Sequence, residues 1–169
     1  MALVALTNDR WGFRSNCFVC EPANPTGLRI PFFHDDAAGL VRADFTLGEE
    51  FSGAPTYVHG GVSLAVLDEA MAWATIAIAG KFAVTRSTTT EFLRPVRVGV
   101  AYRVEASVAG SGDGELRTEA RILDGKDRVC AQADATFVPL DAAQAAAAVG
   151  TTVGGPDSAF VADHPSIAR

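Results

Sequence analysis

Positive charge is scarce in this chain of 169 residues, which has 14 lysines and arginines against 20 aspartates and glutamates. The net charge of −6 argues against nucleic acid as a partner, because a surface that binds phosphates along a nucleic-acid backbone is basic. It does not exclude a small phosphorylated ligand that two or three arginines hold. The length and the 49% hydrophobic content suit one domain with a substantial core.

Cysteine is also scarce, and no secretory signal is evident before the first of the three cysteines. We therefore expect a reducing, cytoplasmic setting. Cys17 and Cys20 form a Cys-x-x-Cys pair, a motif found in zinc and redox sites. Zinc usually takes four ligands, and the sequence holds no second pair, so we expect no metal and no cofactor. We interpret both cysteines as small buried side chains beside Phe18, with a metal or redox role as the alternative.

Proline is absent from His59 to Gly80, where alanine, leucine and methionine favour one helix. Gly80 suits the left-handed residue that ends a helix. Residues 62–79 are apolar on almost every side, which predicts a helix buried all round. Asp68 and Glu69 are its only charges, and an aspartate near a bilayer centre costs about 2.5 to 3.5 kcal/mol. We therefore expect no membrane span, but a buried helix that holds a functional acid.

Strand patterns lie on both sides of this helix. They cover residues 28–34, 40–47, 83–92, 98–109, 115–123 and 128–140. Two strands, one buried helix and four strands joined by tight turns predict an α+β architecture, in which an antiparallel sheet of about six strands wraps around one long buried helix. We expect residues 1–16 to form an arm or short helix, 17–140 the domain, and 141–169 an Ala/Gly-rich tail.

The Val-His-Gly-Gly segment at 58–61, followed by Leu-Asp-Glu-Ala-Met at 67–71, resembles the hotdog-fold acyl-CoA thioesterase superfamily, in its phenylacetate-pathway-like (PaaI-like) branch. Segment 17–20 is similar to the N-terminal stretch of one subgroup, and Phe-Leu-Arg-Pro-Val at 92–96 to a strand-end motif. The resemblance spans residues 17–138. It implies a hotdog fold and the hydrolysis of acyl thioesters, usually those of coenzyme A.

The resemblance also implies roles for single residues. Asp68 matches the catalytic carboxylate of the family, and Gly60 the glycine whose backbone N–H polarises the thioester carbonyl. Thr85 falls where relatives carry a serine or threonine near the attacking water. Gly53 is a departure, because some relatives have an asparagine or glutamine in this loop.

The chemistry of thioester hydrolysis agrees with these roles. An aspartate in an apolar groove suits a general base or nucleophile, and free N–H groups at a helix start suit an oxyanion. Gly60 and Gly61 let a substrate approach the backbone closely. Gly60 and Asp68 stand roughly 12 Å apart along one helix, too far to flank one carbonyl. We therefore expect a homodimer, or a dimer of dimers, in which Gly60 of one chain faces Asp68 of its partner.

Other interpretations remain open for these residues. Asp68 is alternatively a solvent-facing residue, and Glu69, about 100° around the helix, is alternatively the acid or a substrate contact. His59 is a candidate base, but the start of a helix favours a capping or packing role. Thr85 is alternatively only a β-branched strand residue.

Arg94 and Arg97 are candidates for binding the phosphates of coenzyme A, the alternative being ordinary surface arginines. Two other functions suit the same scaffold. One is a hydratase or dehydratase of acyl thioesters, which pairs a histidine with an acid. The other is a non-catalytic protein that binds acyl-CoA or an aromatic ligand. The acyl group itself stays open.

Overall fold

The structure, a computed structural model, describes residues 3–11 and 15–150. The α-helices in this part of the chain are α1 (Gly60–Ala77) and α2 (Ala142–Val149), and short 3₁₀ helices span Asn8–Trp11 and Glu49–Phe51. The strands are β1 (Val4–Leu6), β2 (Phe32–Asp35), β3 (Leu40–Thr46), β4 (Ser52–Ala54), β5 (Tyr57–Val58), β6 (Ala83–Phe92), β7 (Ala101–Gly112), β8 (Glu115–Leu123) and β9 (Val129–Pro139).

Seven of these strands form one antiparallel sheet in the order β1-β2-β3-β7-β8-β9-β6, and β4 pairs with β5 in a separate hairpin. Helix α1 packs against β2, β3, β6, β7, β8 and β9. The α+β architecture with one long helix against an antiparallel sheet is therefore confirmed. The sheet gains a strand that the sequence did not reveal, because Val4–Leu6 pairs with β2.

Helix α1 supplies the centre of the core. Its buried residues are Ser63, Val66, Leu67, Ala70, Met71, Trp73, Ala74, Thr75 and Ile76. No residue from 62 to 77 is fully exposed, as the apolar pattern predicts. The helix ends at Ala77, and Gly80 has the predicted left-handed backbone at φ 65°. Among the described residues, no helix combines the length and apolar character needed to cross a membrane.

The strand predicted at 28–34 begins only at Phe32. Arg29 has a φ of 56°, which is incompatible with a strand. The N–H groups of Leu28 and Ile30 donate to the carbonyls of Phe18 and Val19, at 2.7 and 2.9 Å. This segment is thus tied to the turn that holds the cysteine pair, and not to the sheet.

The strand predicted at 98–109 is shifted, since β7 runs from Ala101 to Gly112. Gly99, with a φ of 73°, interrupts the extended backbone before it. Asp113 and Gly114 both have positive φ, 55° and 76°, the pattern of a two-residue type I′ hairpin turn. The tight turn therefore consists of Asp113 and Gly114, and β7 extends up to it.

Helix α2 begins the segment predicted as a tail. Asp141 caps its start through a reciprocal pair of hydrogen bonds with Gln144, and Ala145 is buried against Phe82 and Leu140. Residues 151–169 lie outside the described part of the chain. The division into arm, domain and tail stays a prediction.

Candidate active site

Helix α1 and strand β6 lie side by side and run in opposite directions. Near the middle of the helix, Thr85 Oγ1 donates a hydrogen bond of 2.7 Å to Asp68 Oδ1. At the start of the helix, the ring of Phe92 lies 3.5 Å from the point that a Cβ on Gly60 would occupy. The two elements thus form the walls of one groove, with Asp68 and Gly60 at different positions along it.

A β-bulge between Thr85 and Ser87 sets which side chains of β6 face this groove. Residues directly opposite each other on paired strands point to the same face of a sheet. The partners of Thr85, Thr88, Thr90 and Phe92 on β9 are the buried residues Phe137, Ala135, Ala133 and Ala131. The bulge therefore keeps three threonine hydroxyls and one aromatic ring in a row that faces the helix.

The carboxylate of Asp68 lies at the Thr85 end of this row. Its side chain is half-buried next to the fully buried Leu67, whereas Thr85 is exposed. The hydroxyl of Thr85 fixes one carboxylate oxygen, because a hydrogen bond to a charged group is stronger than a neutral one. The structure thus brings together Asp68, which the resemblance matches to the catalytic carboxylate, and Thr85, which it places near the attacking water.

The start of α1 presents a free donor. His59 caps the helix, and its Nδ1 accepts a hydrogen bond of 2.9 Å from the N–H of Gly61. Among the described residues, none accepts from the N–H of Gly60, which is exposed. The capping interpretation of His59 is therefore confirmed, and the unpaired N–H beside it belongs to the residue expected to polarise a carbonyl.

Gly53 lies against this helix start. A Cβ on Gly53 would lie 3.1 Å from both Cα and Cδ2 of His59, closer than most real contacts. The N–H of His59 also donates to the carbonyl of Phe51, at 2.9 Å. Glycine therefore lets β4 pack against the cap, and a side chain at this position would require His59 or β4 to shift by a few tenths of an ångström.

A pocket of about 260 Å³ opens beside Gly60, and its walls include Tyr57, Phe92, Leu93 and Arg94. The three apolar side chains are 39%, 57% and 51% exposed, which is high for residues of their size. Arg94 is exposed, and its Nη1 donates to the carbonyl of Val129 at 2.6 Å. The pocket thus combines an apolar surface with a cation, next to the N–H of Gly60.

Arg97, also exposed, lies close to this pocket. Its guanidinium carbon is 5.3 Å from the centroid of the Tyr57 ring, within the range of a cation–π contact. The backbone N–H of Arg97 donates to the hydroxyl of Tyr102 at 3.0 Å. Arg97 is therefore held near the pocket through an aromatic wall residue.

Glu69 faces different neighbours from Asp68. Its Oε1 lies 3.3 Å from Cys17 Sγ, and Cys20 completes a group whose ligand atoms are within 4.8 Å of one another. Burial raises the pKa of Glu69 to about 8. A hydrogen bond from the side chain of Cys20, together with hydrogen bonds from backbone N–H groups, lowers the pKa of Cys17 to about 5. The hydrogen bond between the two cysteines also raises the pKa of Cys20.

The sequence did not predict this cluster, because Cys17 and Glu69 are 52 positions apart. Both cysteines are half-buried, whereas Phe18 is 45% exposed. The expectation that the cysteines are simply buried beside Phe18 is therefore wrong in its detail. They instead face an acid on α1.

Comparison with known proteins identifies a match to the family model of the thioesterase superfamily over residues 56–131, a stretch that contains α1, β6, β7 and β8. No curated protein sequence matches the chain. The fold is similar to that of a crystallised thioesterase superfamily protein, with a TM-score of 0.69 and 25% identity, over 82% of this chain and 66% of that chain.

Two further crystal structures share the fold. The PaaI protein of the E. coli phenylacetic acid degradation operon has a TM-score of 0.59 and 22% identity, over 66% of this chain and 80% of that chain. A hypothetical thioesterase from Streptococcus pneumoniae TIGR4, crystallised with coenzyme A, has a TM-score of 0.56 and 16% identity, over 60% and 81%. These two likenesses confirm the hotdog fold, and the resemblance to the superfamily rests on the family-model match over residues 56–131.

Proposed function

We propose that this chain, whose residues 56–131 match the family model of the thioesterase superfamily, hydrolyses an acyl thioester of coenzyme A to a free acid and coenzyme A. The observation that carries the proposal is the groove between α1 and β6. It presents the carboxylate of Asp68, held by the hydroxyl of Thr85, and the backbone N–H of Gly60, for which the described residues provide no acceptor. Thioester hydrolysis needs these two kinds of group, one to activate water and one to stabilise the oxyanion.

Each group has one role in the reaction. Asp68 takes the proton from water as it attacks the carbonyl carbon; the C–S bond then breaks, and the leaving thiolate of coenzyme A takes up that proton. Alternatively, Asp68 attacks the carbon as a nucleophile and displaces the thiolate, and water then hydrolyses the resulting mixed anhydride to the free acid. Thr85 holds the carboxylate in place through its hydrogen bond. The N–H of Gly60, at the positive end of the helix dipole, donates to the carbonyl oxygen as negative charge develops there.

One copy of α1 does not complete a site. Gly60 and Asp68 are eight residues apart, which is about 12 Å along a helix, whereas both groups need to lie within about 3 Å of the reacting atoms. We therefore assign each site to two chains, with Gly60 of one chain opposite Asp68 of the other, in a dimer or a dimer of dimers.

The edge of the sheet supports this self-association. Strand β6 is ten residues long and pairs only with β9 in the described sheet. Its end carries the exposed Phe92, and Val84 on the same strand is 45% exposed. A long edge strand of this kind favours pairing with another chain, and a second copy of α1 and β6 supplies the missing half of the site.

Coenzyme A is the thiol carrier that the surroundings of the site favour. The pocket beside Gly60 has an apolar wall for an acyl chain or pantetheine arm, and Arg94 and Arg97 offer charged hydrogen-bond donors for phosphates. The coenzyme A found with the Streptococcus pneumoniae relative agrees with this assignment. A hydratase is less well supported, because His59, the histidine at the groove, is engaged as a helix cap.

The test is thiol release from a panel of short, long, branched and aromatic coenzyme A esters. The variant Asp68→Asn keeps the shape of the side chain but cannot act as a base or nucleophile, so kcat should fall at least about 1,000-fold. Asp134→Asn, an exposed aspartate on β9, is the matched control and should keep full activity. Saturable binding of the esters without thiol release by the wild type would instead identify a non-catalytic binding protein.

A further inference from the structure

The cluster of Cys17, Cys20 and Glu69 has no part in the proposed hydrolysis. Its three potential ligand atoms lie within 4.8 Å of one another, and Cys17 Sγ is 3.3 Å from Glu69 Oε1. In a tetrahedral zinc site with Zn–S near 2.3 Å and Zn–O near 2.1 Å, ligand atoms stand about 3.6 to 3.8 Å apart. The present spacing therefore needs only small side-chain adjustments to enclose one such ion.

The backbone around the first cysteine is arranged to support a thiolate. Cys17 Sγ accepts hydrogen bonds from the N–H groups of Val19 and Cys20, at 3.3 and 3.4 Å. Asn8 Nδ2 donates to Cys20 Sγ at 3.5 Å. Donors directed at sulfur favour its ionised form, which is the form that binds metals.

The ligands are held on two rigid elements. The turn at 17–20 is fixed by backbone bonds from Leu28 and Ile30, and Asn24 Nδ2 donates to the carbonyl of Cys17 at 3.3 Å. Glu69 projects from α1. The hydrogen bonds to the turn and the rigidity of the helix therefore hold the three side chains near one another before an ion binds.

The charge that the ligands carry when they bind a metal favours a cation. As metal ligands, two thiolates and one carboxylate carry three negative charges in a half-buried space, and burying unpaired charge is costly. In the described part of the chain, no arginine or lysine forms an ion pair with Glu69. A divalent ion that takes the place of the protons on these groups would therefore balance charge that no described side chain balances.

We propose that Cys17, Cys20 and Glu69 bind one Zn²⁺ ion, with water as the fourth ligand. Two thiolates select a borderline-soft metal such as zinc over magnesium or calcium, which take only oxygen ligands. A cavity of about 370 Å³, lined by Asn8, Cys17 and Glu69, lies next to the cluster and has room for the water. The ion fastens the N-terminal turn to α1, one residue after Asp68.

Metal binding is tested on the full chain, reduced and stripped of metal. Titration with Co²⁺ should give one ion per chain and a thiolate-to-cobalt charge-transfer band, and Zn²⁺ should displace the cobalt. Cys17→Ser, Cys20→Ser and Glu69→Gln should each weaken zinc binding more than about 100-fold, because even the loss of an outer-shell partner costs about 10- to 100-fold. Cys130→Ser changes the buried cysteine on β9 and should leave zinc affinity unchanged.

A second measurement uses the wild-type chain alone, in case a variant fails to fold. Zinc should protect Cys17 and Cys20, identified by peptide mapping, from alkylation, and should not change the labelling of Cys130. The proposal is overturned if the reduced wild type binds no cobalt or zinc, or if Glu69→Gln binds zinc as tightly as the wild type. The proposal is also overturned if Cys17 and Cys20 form a disulfide and the two thiols bind no metal after reduction.

Discussion

Thr85 on the edge strand β6 donates a 2.7 Å hydrogen bond to the carboxylate of Asp68 in the middle of α1. The bond sits beside the bulge that turns Thr85 toward the helix. It links the strand at the rim of the sheet to the acid of the proposed site. The value of this bond to catalysis can be measured by removing the hydroxyl alone.

Replacing Thr85 with valine keeps the branched shape and removes the donor. A hydrogen bond to a charged group contributes about 1.5 to 3 kcal/mol, so kcat should fall about 10- to 100-fold if the bond positions Asp68 for the attack. Thr85→Ser retains the hydroxyl and should keep most of the activity. Steady-state thiol release measures both variants, and equal losses in the two would show that the methyl group, and not the hydroxyl, matters.

Gly60→Pro removes the one backbone N–H that the proposal assigns to the oxyanion. Proline suits the first position of a helix, and His59, with φ −58° and ψ 135°, has the backbone that a residue before proline prefers. The helix should therefore form normally, while kcat falls about 100- to 1,000-fold, as it does when one oxyanion donor is lost.

Gly60→Ala is the control for this change. It adds a Cβ at an ordinary 3.5 Å from Phe92 but keeps the N–H. Circular dichroism should show both variants folded, and the alanine variant should lose much less activity than the proline variant. If the proline variant were as active as the alanine variant, the N–H would have no role.

Replacing Arg94 and Arg97 together with alanine tests how the thiol carrier is held. If the guanidinium groups bind the phosphates of coenzyme A, KM for coenzyme A esters should rise at least about tenfold, while KM for a short thiol ester without phosphates stays nearly constant. Arg117→Ala, which removes an exposed arginine from β8, is the control. A parallel rise for both substrates would count against phosphate binding.

Removing zinc should lower the stability of the protein. A ligand at 100 times its Kd stabilises the folded state by about 2.7 kcal/mol, which raises Tm by roughly 5 to 10 °C in a chain of this size. Thermal melts with added zinc and with a chelator measure the difference. In Glu69→Gln the zinc-dependent shift should largely vanish, and a full shift in that variant would place the ion elsewhere.

Local sequence predicted the elements whose determinants are local. The threonine-rich strand Ala83–Phe92 and the alternating strand Glu115–Leu123 have the predicted bounds, since β-branched residues and flanking turns define them. Residues 28–31 are not part of a strand, although their apolar pattern predicts one. The left-handed backbone of Arg29 and the bonds to Phe18 and Val19 depend on a distant turn.

The site shows the same division. The sequence singled out Asp68 because a charge in an apolar helix needs a reason, and the resemblance paired it with Thr85. Neither source indicated that Glu69 meets Cys17, because that contact joins segments 52 positions apart. A partner for the cysteine pair appears only when the chain is folded.

In the proposed dimer, each site combines Gly60 of one chain with Asp68 of another. Mixing the inactive variants Gly60→Pro and Asp68→Asn, under conditions of subunit exchange, tests this sharing of residues. A mixed dimer then has one site with both groups intact, so an equal mixture should recover about a quarter of wild-type activity, since half of the dimers are mixed and each has one working site. Activity that stays at the level of the separate variants, despite exchange shown by mass spectrometry, would contradict the claim.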